Sequence, residues 1–301
     1  MKFHSNLVSA DYRSYLSILG SIDAFLLAEA EQRAASADGV VASADGQGVA
    51  TVHTLDWDSE IFGYQCSRVG ALAISNSYHS GIVEEVDHAL KQAGARFADV
   101  RIGLQHEALI QEFVDRGWRI ADQLNIYFSE LTELPSDEQT DVYPYVIKEI
   151  SSEFAESFFE KNPKLFYGAR IYNDPNISAD AAELFYTRLM EAKCSNSTGP
   201  MCGIWDKDEL VGIAIGEVDT QLSAFANAPL AYLWLIGLSD RLRGQGLGKK
   251  LFNAFLNQCR QQGIRYLEIG TQHDNFSANK LYASFGLPIE SQLITLHRWY
   301  E

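Results

Sequence analysis

The sequence lacks the marks of several function classes. None of its four cysteines, at positions 66, 194, 202 and 259, pairs with another at Cys-x-x-Cys spacing. That removes a zinc ribbon or a redox dithiol from consideration, and no metal is expected. A chain of 301 residues does not need disulfides to hold a core, so the thiols are expected free and buried in a reducing compartment. No run of about 18 apolar residues occurs, so no membrane-spanning helix is expected. The opening stretch, MKFHSNLVSADYRSYLSILGSIDAFLL, has no uninterrupted apolar segment followed by a cleavage site, and no signal peptide is expected. Positive charge is scarce: 24 Lys and Arg face 40 Asp and Glu, a net charge of −16. Nucleic acid and anionic lipid need clustered Lys and Arg, so neither is expected as a partner. The expectation is a soluble cytoplasmic protein acting on small molecules, with a homodimer compatible.

What is present is ample apolar material. At 47% hydrophobic and 21% charged residues, the chain can bury one large core or two smaller ones. Residues 11–33 carry Tyr15, Leu16, Leu19, Ile22, Phe25 and Leu26 at helical spacing. ASADGVVASADGQG, residues 35–48, has the composition of a flexible connector. LTELPSDEQTDVYPY, residues 131–145, carries two prolines and four acidic groups without periodicity, and it marks a domain boundary. The expected division is an N-terminal α/β domain over 1–140, with the connector near 35–50, and a second domain over 145–301.

The two halves echo each other. Gly94-Ala95-Arg96-Phe97 matches Gly263-Ile264-Arg265-Tyr266, and Gln105-His106 matches Gln272-His273 once two residues are skipped. Each match sits in the order helix, strand, helix, strand. From residue 145 the patterning predicts strands near 145–150, 201–206, 209–219, 230–238, 264–270 and 290–299. Helices are predicted near 151–161, 179–193, 246–262 and 275–285. That order implies an α/β (α+β) fold with a mixed, partly antiparallel sheet covered by helices.

Three glycines fall within five positions in RLRGQGLGKKL, residues 241–251. A Walker A loop fails, because Arg243 stands at its first glycine and Lys250 at its Ser/Thr. A Rossmann turn fails, because Lys249 stands at its last glycine. The remaining pattern is Arg243-x-x-Gly246-x-Gly248, between the apolar strand LAYLWLIGL and the amphipathic helix LGKKLFNAFLNQC. Successive N–H groups at a helix N-terminus cradle an anion, and bare glycines let a diphosphate lie against the backbone. Arg243 adds a fixed charge. A glycine-rich turn without a ligand is the other reading of the hexapeptide alone.

Downstream, NFSANKLYASFG places Asn275, Ala278, Leu281, Tyr282 and Gly286 in a fixed pattern. With LWLIGLSDRLRGQGLGKKL before it, residues 145–301 resemble the GNAT acyl-CoA N-acyltransferases, the first stretch matching their motif A and the second their motif B. LDWDSEIFGYQC near residue 55, GARIYNDPNISADAAELFYTRLMEA from 168 and the closing GTQHDNFSANKLYASFGLPIESQLITLHRWY resemble, more narrowly, the dTDP-4-amino-4,6-dideoxyhexose N-acetyltransferases of dTDP-fucosamine type. These also pair a smaller α/β domain with a GNAT domain. The segment before residue 51 is longer than that family needs and has no assigned role.

The resemblance implies acetyl-CoA as donor. It implies that the pantetheine arm pairs with a splayed strand, here at Leu235, Ile236, Gly237 and Leu238, where a backbone N–H also faces the developing oxyanion. Gly237 would permit close approach of the thioester, though a β-bulge would account for it equally. The diphosphate would lie on Arg243, Gly244, Gln245, Gly246, Leu247 and Gly248. Asn275 would bind the donor, though Asn is also a favoured helix N-cap. Tyr282 takes the motif-B role of general acid toward the CoA thiolate, with a core aromatic as the other reading. Glu217, Asp219 and His273 are candidate bases. Arg170, Tyr172, Asp174, Trp57 and Phe62 are candidates for the acceptor pocket. The acceptor implied is the amine of a nucleotide-linked amino sugar in polysaccharide assembly. A protein N-terminus, polyamine or aminoglycoside is the alternative, as is a non-catalytic acyl-CoA-binding module.

Overall fold

The computed structural model describes residues 6–7, 38–45, 47–74, 80–135, 143–162, 165, 169–195, 197–220, 223 and 228–301. The predicted helix over 11–33 lies outside the described residues. In chain order the N-terminal elements are β1 (Asn6–Leu7), β2 (Gly39–Ala42), β3 (Gly48–Thr54), α1 (Asp56–Phe62), β4 (Cys66–Ile74), α2 (Ile82–Gln92), β5 (Phe97–Gly103), α3 (Glu107–Asp115) and β6 (Arg119–Glu130). The C-terminal elements are β7 (Tyr145–Glu149), α4 (Ser152–Lys161), α5 (Ala179–Ser195), β8 (Met201–Asp206), β9 (Glu209–Val218), β10 (Leu230–Leu238), α6 (Leu247–Gln261), β11 (Tyr266–Gln272), α7 (Phe276–Ala283) and β12 (Ile289–Trp299).

The chain divides into two units, Met1–Asn125 with Ser291–Glu301, and Ile126–Glu290. The divisions fall inside β6 and β12. In the stretch expected as a connector, residues 39–42 instead form β2, antiparallel to β3 from Gly39–Val52 to Ala42–Val49. Two valines between glycine-rich turns supply enough β-propensity to pair once β3 offers an edge.

In the second unit β10 is flanked by β11, parallel, and β9, antiparallel, with β8 and β7 following antiparallel beyond β9. Apolar residues alternate to both faces, so both must be covered. On one face α6 packs Leu251, Phe252 and Phe255 against Ala231, Leu233 and Ala214. On the other, α4 and α5 pack Phe158 and Cys194 against Ile213 and Ile215. Each fully buried Leu or Phe contributes about 1.5–3 kcal/mol.

The first unit repeats the plan suggested by the sequence echo. In it β4 runs parallel to β5 over four register pairs, Cys66–Phe97 to Val69–Val100. In the second unit β10 runs parallel to β11 over four, Leu230–Tyr266 to Leu233–Ile269. Both β4 and β10 have nine residues. The echoed Gly94 and Gly263 both adopt positive φ, 77° and 74°, just after α2 and α6.

All four cysteines are buried and free. Burial pushes the thiols of Cys66, Cys194 and Cys202 up to about 12, with Asp58 adding to Cys66 and Glu156 to Cys194. An unfolded thiol ionises near 8.5. The folded chain therefore holds protons that the unfolded chain has lost, so stability is full below about pH 8.5 and declines as pH rises toward 12. Denaturant melts at pH 7.5 and 10 should show a loss on the order of 1 kcal/mol for each thiol. Equal unfolding energies at the two pH values would contradict this.

Candidate active site

The site begins where β10 and β11 stop pairing. Their parallel ladder ends at Leu233–Ile269, while β10 continues alongside β9 to Leu238–Gly212. Ile236, Gly237 and Leu238 therefore lie on a stretch with a neighbour strand on the β9 side and a diverging one on the β11 side. The β9–β10 register shifts between Leu233 and Leu235. The bulge thus sits at Trp234, not at Gly237. A Cβ on Gly237 would come within 2.9 Å of Leu165 Cδ2, so this glycine accommodates a neighbouring side chain. The bulge places two consecutive residues on one face. Leu235 packs with the α4–α5 cluster, and Lys193 of α5 lies over the Trp234 ring.

The glycine loop follows β10 directly. Gly244 and Gly246 adopt φ of 79° and 78°, a region that L-residues with a Cβ enter only at a cost. Gly246 occupies the N-cap of α6 with no side-chain cap, and the first turn of α6 has no acidic residue. Residues 243–246 are exposed. Arg243 pairs with Asp240 at 3.0 Å, both well exposed, a weak contact from which the guanidinium can swing to a ligand. Gln245 Nε2 donates to the Arg241 carbonyl at 3.0 Å, which turns its side chain back along the loop. Leu247 is buried, anchoring the helix start, and contributes only its backbone to the cradle.

Tyr282 on α7 is 3% exposed. Its ring meets Tyr127 edge-on at 5.2 Å and Phe252 at 5.5 Å. Burial, with a smaller contribution from Tyr127, pushes its phenol well above the ordinary range. It stays protonated and available as a donor. Asn275 caps α7: its Oδ1 accepts from Ala278 N at 3.2 Å, and its Nδ2 donates to Thr271 Oγ1 at 3.2 Å. Asn279 is a residue that the sequence pattern passed over. Its Nδ2 donates to the carbonyls of Gln272, His273 and Asn275, and its Oδ1 accepts from Tyr127 Oη at 2.7 Å. It ties the start of α7 to the end of β11 and to the ring beside Tyr282. Its place one turn after Asn275 was the available signal.

A row of polar side chains crosses the sheet just before the divergence. Glu217, Tyr232 and Glu268 are register partners on β9, β10 and β11. Their strand neighbours Leu233, Leu267 and Ile269 pack with α6, so the row faces the α4–α5 side. Glu217 pairs with Lys193 at 2.8 Å. Glu268 is 5% exposed, and sequence reasoning missed it because one acid in the apolar run YLEIG carries no pattern. Asp219 lies just past β9 and His273 is exposed just past β11.

The expected acceptor-pocket residues are largely engaged within their own surroundings. Tyr172 stacks on Tyr186 at 5.3 Å, and the buried Asp174 accepts from Asn176 N at 2.9 Å. Arg170 is half-buried. In the first unit, Phe62 stacks on Tyr64 at 5.7 Å, and Trp57 is half-exposed on α1. His106 there occupies the N-cap position of α3.

The first unit shows what the same plan looks like when closed. Where β4 runs past its pairing with β5, β1 pairs with Ala73 and Ile74. At the start of α2, Gly81 N donates to the Glu112 carboxylate at 2.8 Å, and Glu84 and Glu85 stand in the first turn. Negative charge there repels a diphosphate. The second unit has a diverging strand edge and a cradle free of acidic residues, which fit a strand-like arm ending in a diphosphate. The first unit does not fit one.

Residues 147–287 match the Acetyltransferase (GNAT) family. No curated protein matches the chain. A GCN5-related N-acetyltransferase from Sphaerobacter thermophilus shares the fold, with a TM-score of 0.59 and 12% identity over 99% of this chain and 96% of that one. A GCN5-related N-acetyltransferase from Kribbella flavida has a TM-score of 0.52 and 13% identity over 90% and 93%. A tandem GNAT protein from the clavulanic acid biosynthesis pathway has a TM-score of 0.55 and 12% identity over 97% of each chain.

Proposed function

We propose that this chain, whose residues 147–287 form a GNAT acetyltransferase domain, transfers an acetyl group from acetyl-CoA to the amine of a small-molecule acceptor. The observation that carries the reading is the junction of two features in one unit. A strand diverges from its parallel neighbour after Leu233, and the same strand runs directly into an exposed, positive-φ glycine loop.

Each residue has a task in this reading. The β10 edge at Ile236, Gly237 and Leu238 takes the amides of the donor's arm as an added strand would. The N–H groups from Gly244 to Gly248, with the Arg243 guanidinium, hold the diphosphate. Asn275 fixes the α7 terminus that presents Tyr282. The acceptor nitrogen, neutral when it attacks, forms its bond to the acetyl carbon as the C–S bond breaks. Its proton passes to Glu268, in the row facing the α4–α5 side. The CoA thiolate leaves against the Tyr282 hydroxyl. A phenol held above its ordinary pKa is a poor acid toward a thiol of about 8.5. Tyr282 therefore serves chiefly by donating a hydrogen bond to the sulfur as charge develops, with solvent completing the protonation.

Two acceptor classes follow from the sequence: the nucleotide-linked amino sugar, by resemblance, and a cationic amine, by the net charge of −16. The test is thiol release from acetyl-CoA with dTDP-4-amino-4,6-dideoxyhexoses of both C4 configurations, a UDP-linked counterpart, spermidine and a short peptide. Calorimetry should find one acetyl-CoA per chain, since the first unit's equivalent edge is closed by β1 and Glu112. Failure of acetyl-CoA to bind would sink the reading. Binding without turnover of any acceptor would favour a non-catalytic acyl-CoA module.

A further inference from the structure

We infer that the Glu217 carboxylate and the Trp234 ring form a recognition site for an ammonium group of the acceptor, a place that Lys193 fills in the free protein, so that the acceptor is an oligoamine. The inference rests on the acetyl-transfer reading of the same domain and selects between its acceptor classes.

Lys193 Nζ lies 2.8 Å from Glu217 Oε2 and 3.7 Å from the centroid of the Trp234 ring. A carboxylate and an indole face converging on one point form a site for a primary ammonium group. None of the three side chains is shut away: Lys193 is 24% exposed, Glu217 34% and Trp234 42%. A flexible four-carbon stem can withdraw from such a place. The ring is on this face because of the bulge at the head of the β10–β11 divergence, where the acetyl group would arrive.

The backbone that carries the carboxylate is held firmly. Ser197 Oγ donates to the Gly216 carbonyl at 2.9 Å, and Gly216 N donates to the Pro200 carbonyl at 2.8 Å. Gly199 approaches so closely that a Cβ there would lie 2.6 Å from Glu217 N. Glu268 in the same row adds a second carboxyl group on this face. The chemistry of attack then fixes the number of amines. The anchored nitrogen must be charged and the attacking nitrogen neutral, so one nitrogen cannot do both at once. The acceptor carries at least two.

The experiment compares 1,5-diaminopentane with pentylamine at saturating acetyl-CoA, with calorimetry of the diamine against the chain alone. The diamine should be preferred by about tenfold in kcat/KM. Glu217→Gln and Trp234→Leu should each raise the diamine KM by about tenfold, leave acetyl-CoA binding unchanged and erase the preference. Lys193→Met should do the opposite and lower the diamine KM by about threefold, because the resident cation no longer competes. If Lys193→Met moves KM in the same direction as Glu217→Gln, the three residues are only a brace between α5 and the sheet, and the inference fails. Equal use of the two amines, or no heat of diamine binding to the wild-type chain, overturns it as well. If acetyl-CoA does not bind, the acetyl-transfer reading falls, while diamine binding lost in Glu217→Gln would still uphold the ammonium site.

Discussion

Tyr282→Phe should lower kcat by roughly 10²-fold or more while leaving the KM for acetyl-CoA near its wild-type value. In the proposed mechanism the hydroxyl acts on the departing sulfur, so its loss would be felt in the transition state and little in the ground state. The fold should barely respond. The ring that packs on Tyr127 and Phe252 remains, and a melt should shift by no more than about 1 kcal/mol. Tyr282→Ala makes the contrast, since emptying that volume among buried aromatics costs about 3–5 kcal/mol. A pH profile adds a separate check. Because burial holds the phenol protonated above its ordinary range, wild-type kcat should show no falling limb from phenol ionisation up to about pH 10. If Tyr282→Phe retains full kcat, the residue is a core aromatic and the leaving thiolate is stabilised elsewhere.

Gly246→Val should weaken acetyl-CoA binding by about 100-fold, equivalent to losing a charged hydrogen-bond contact or two at the diphosphate. Gly246 sits at φ 78°, where a β-branched residue is strained by about 1–2 kcal/mol or more. A Cβ there meets no protein atom within 4 Å, so the protein itself does not clash. What the valine removes is the loop conformation and the space against the backbone. Gly263→Val is the control, because Gly263 has φ 74° and equally open surroundings at the other end of α6. The two variants should lose similar stability by thermal melt, and only Gly246→Val should lose donor affinity by calorimetry. Equal affinity in both would mean that the glycine loop is a turn and nothing more.

The local elements of the second unit were legible because each is written in contiguous residues. LAYLWLIGL is too apolar to be anything but a buried strand, and Leu247, Leu251, Phe252, Phe255, Leu256 and Cys259 trace one helical face on α6. The glycine loop and the motif-B helix were legible for the same reason, as was the cap by Asn275, whose hydrogen bond to Ala278 spans three residues. The internal echo was also visible, since Gly94 and Gly263 each end a helix in the same backbone conformation. The β2 pairing was not, because glycine and serine around Val40 and Val41 suit a linker until β3 supplies an edge.

Propensity and period within a few residues were enough to give the fold class, the order of elements in the second unit and the position of the glycine loop. Only the tertiary structure decided where parallel pairing ends, that the bulge falls at Trp234, and that β12 returns to the first unit. These depend on register between strands, and register is a relation among distant segments that no single segment encodes. The same holds for the polar site. Lys193, Glu217 and Trp234 come from a helix and two strands, and Glu268 from a third strand, and of the four only Glu217 stood out in its own stretch of sequence. Glu217 and Glu268 share a face because both are register partners of Tyr232, the bulge turns Trp234 to that face, and Lys193 reaches it from α5.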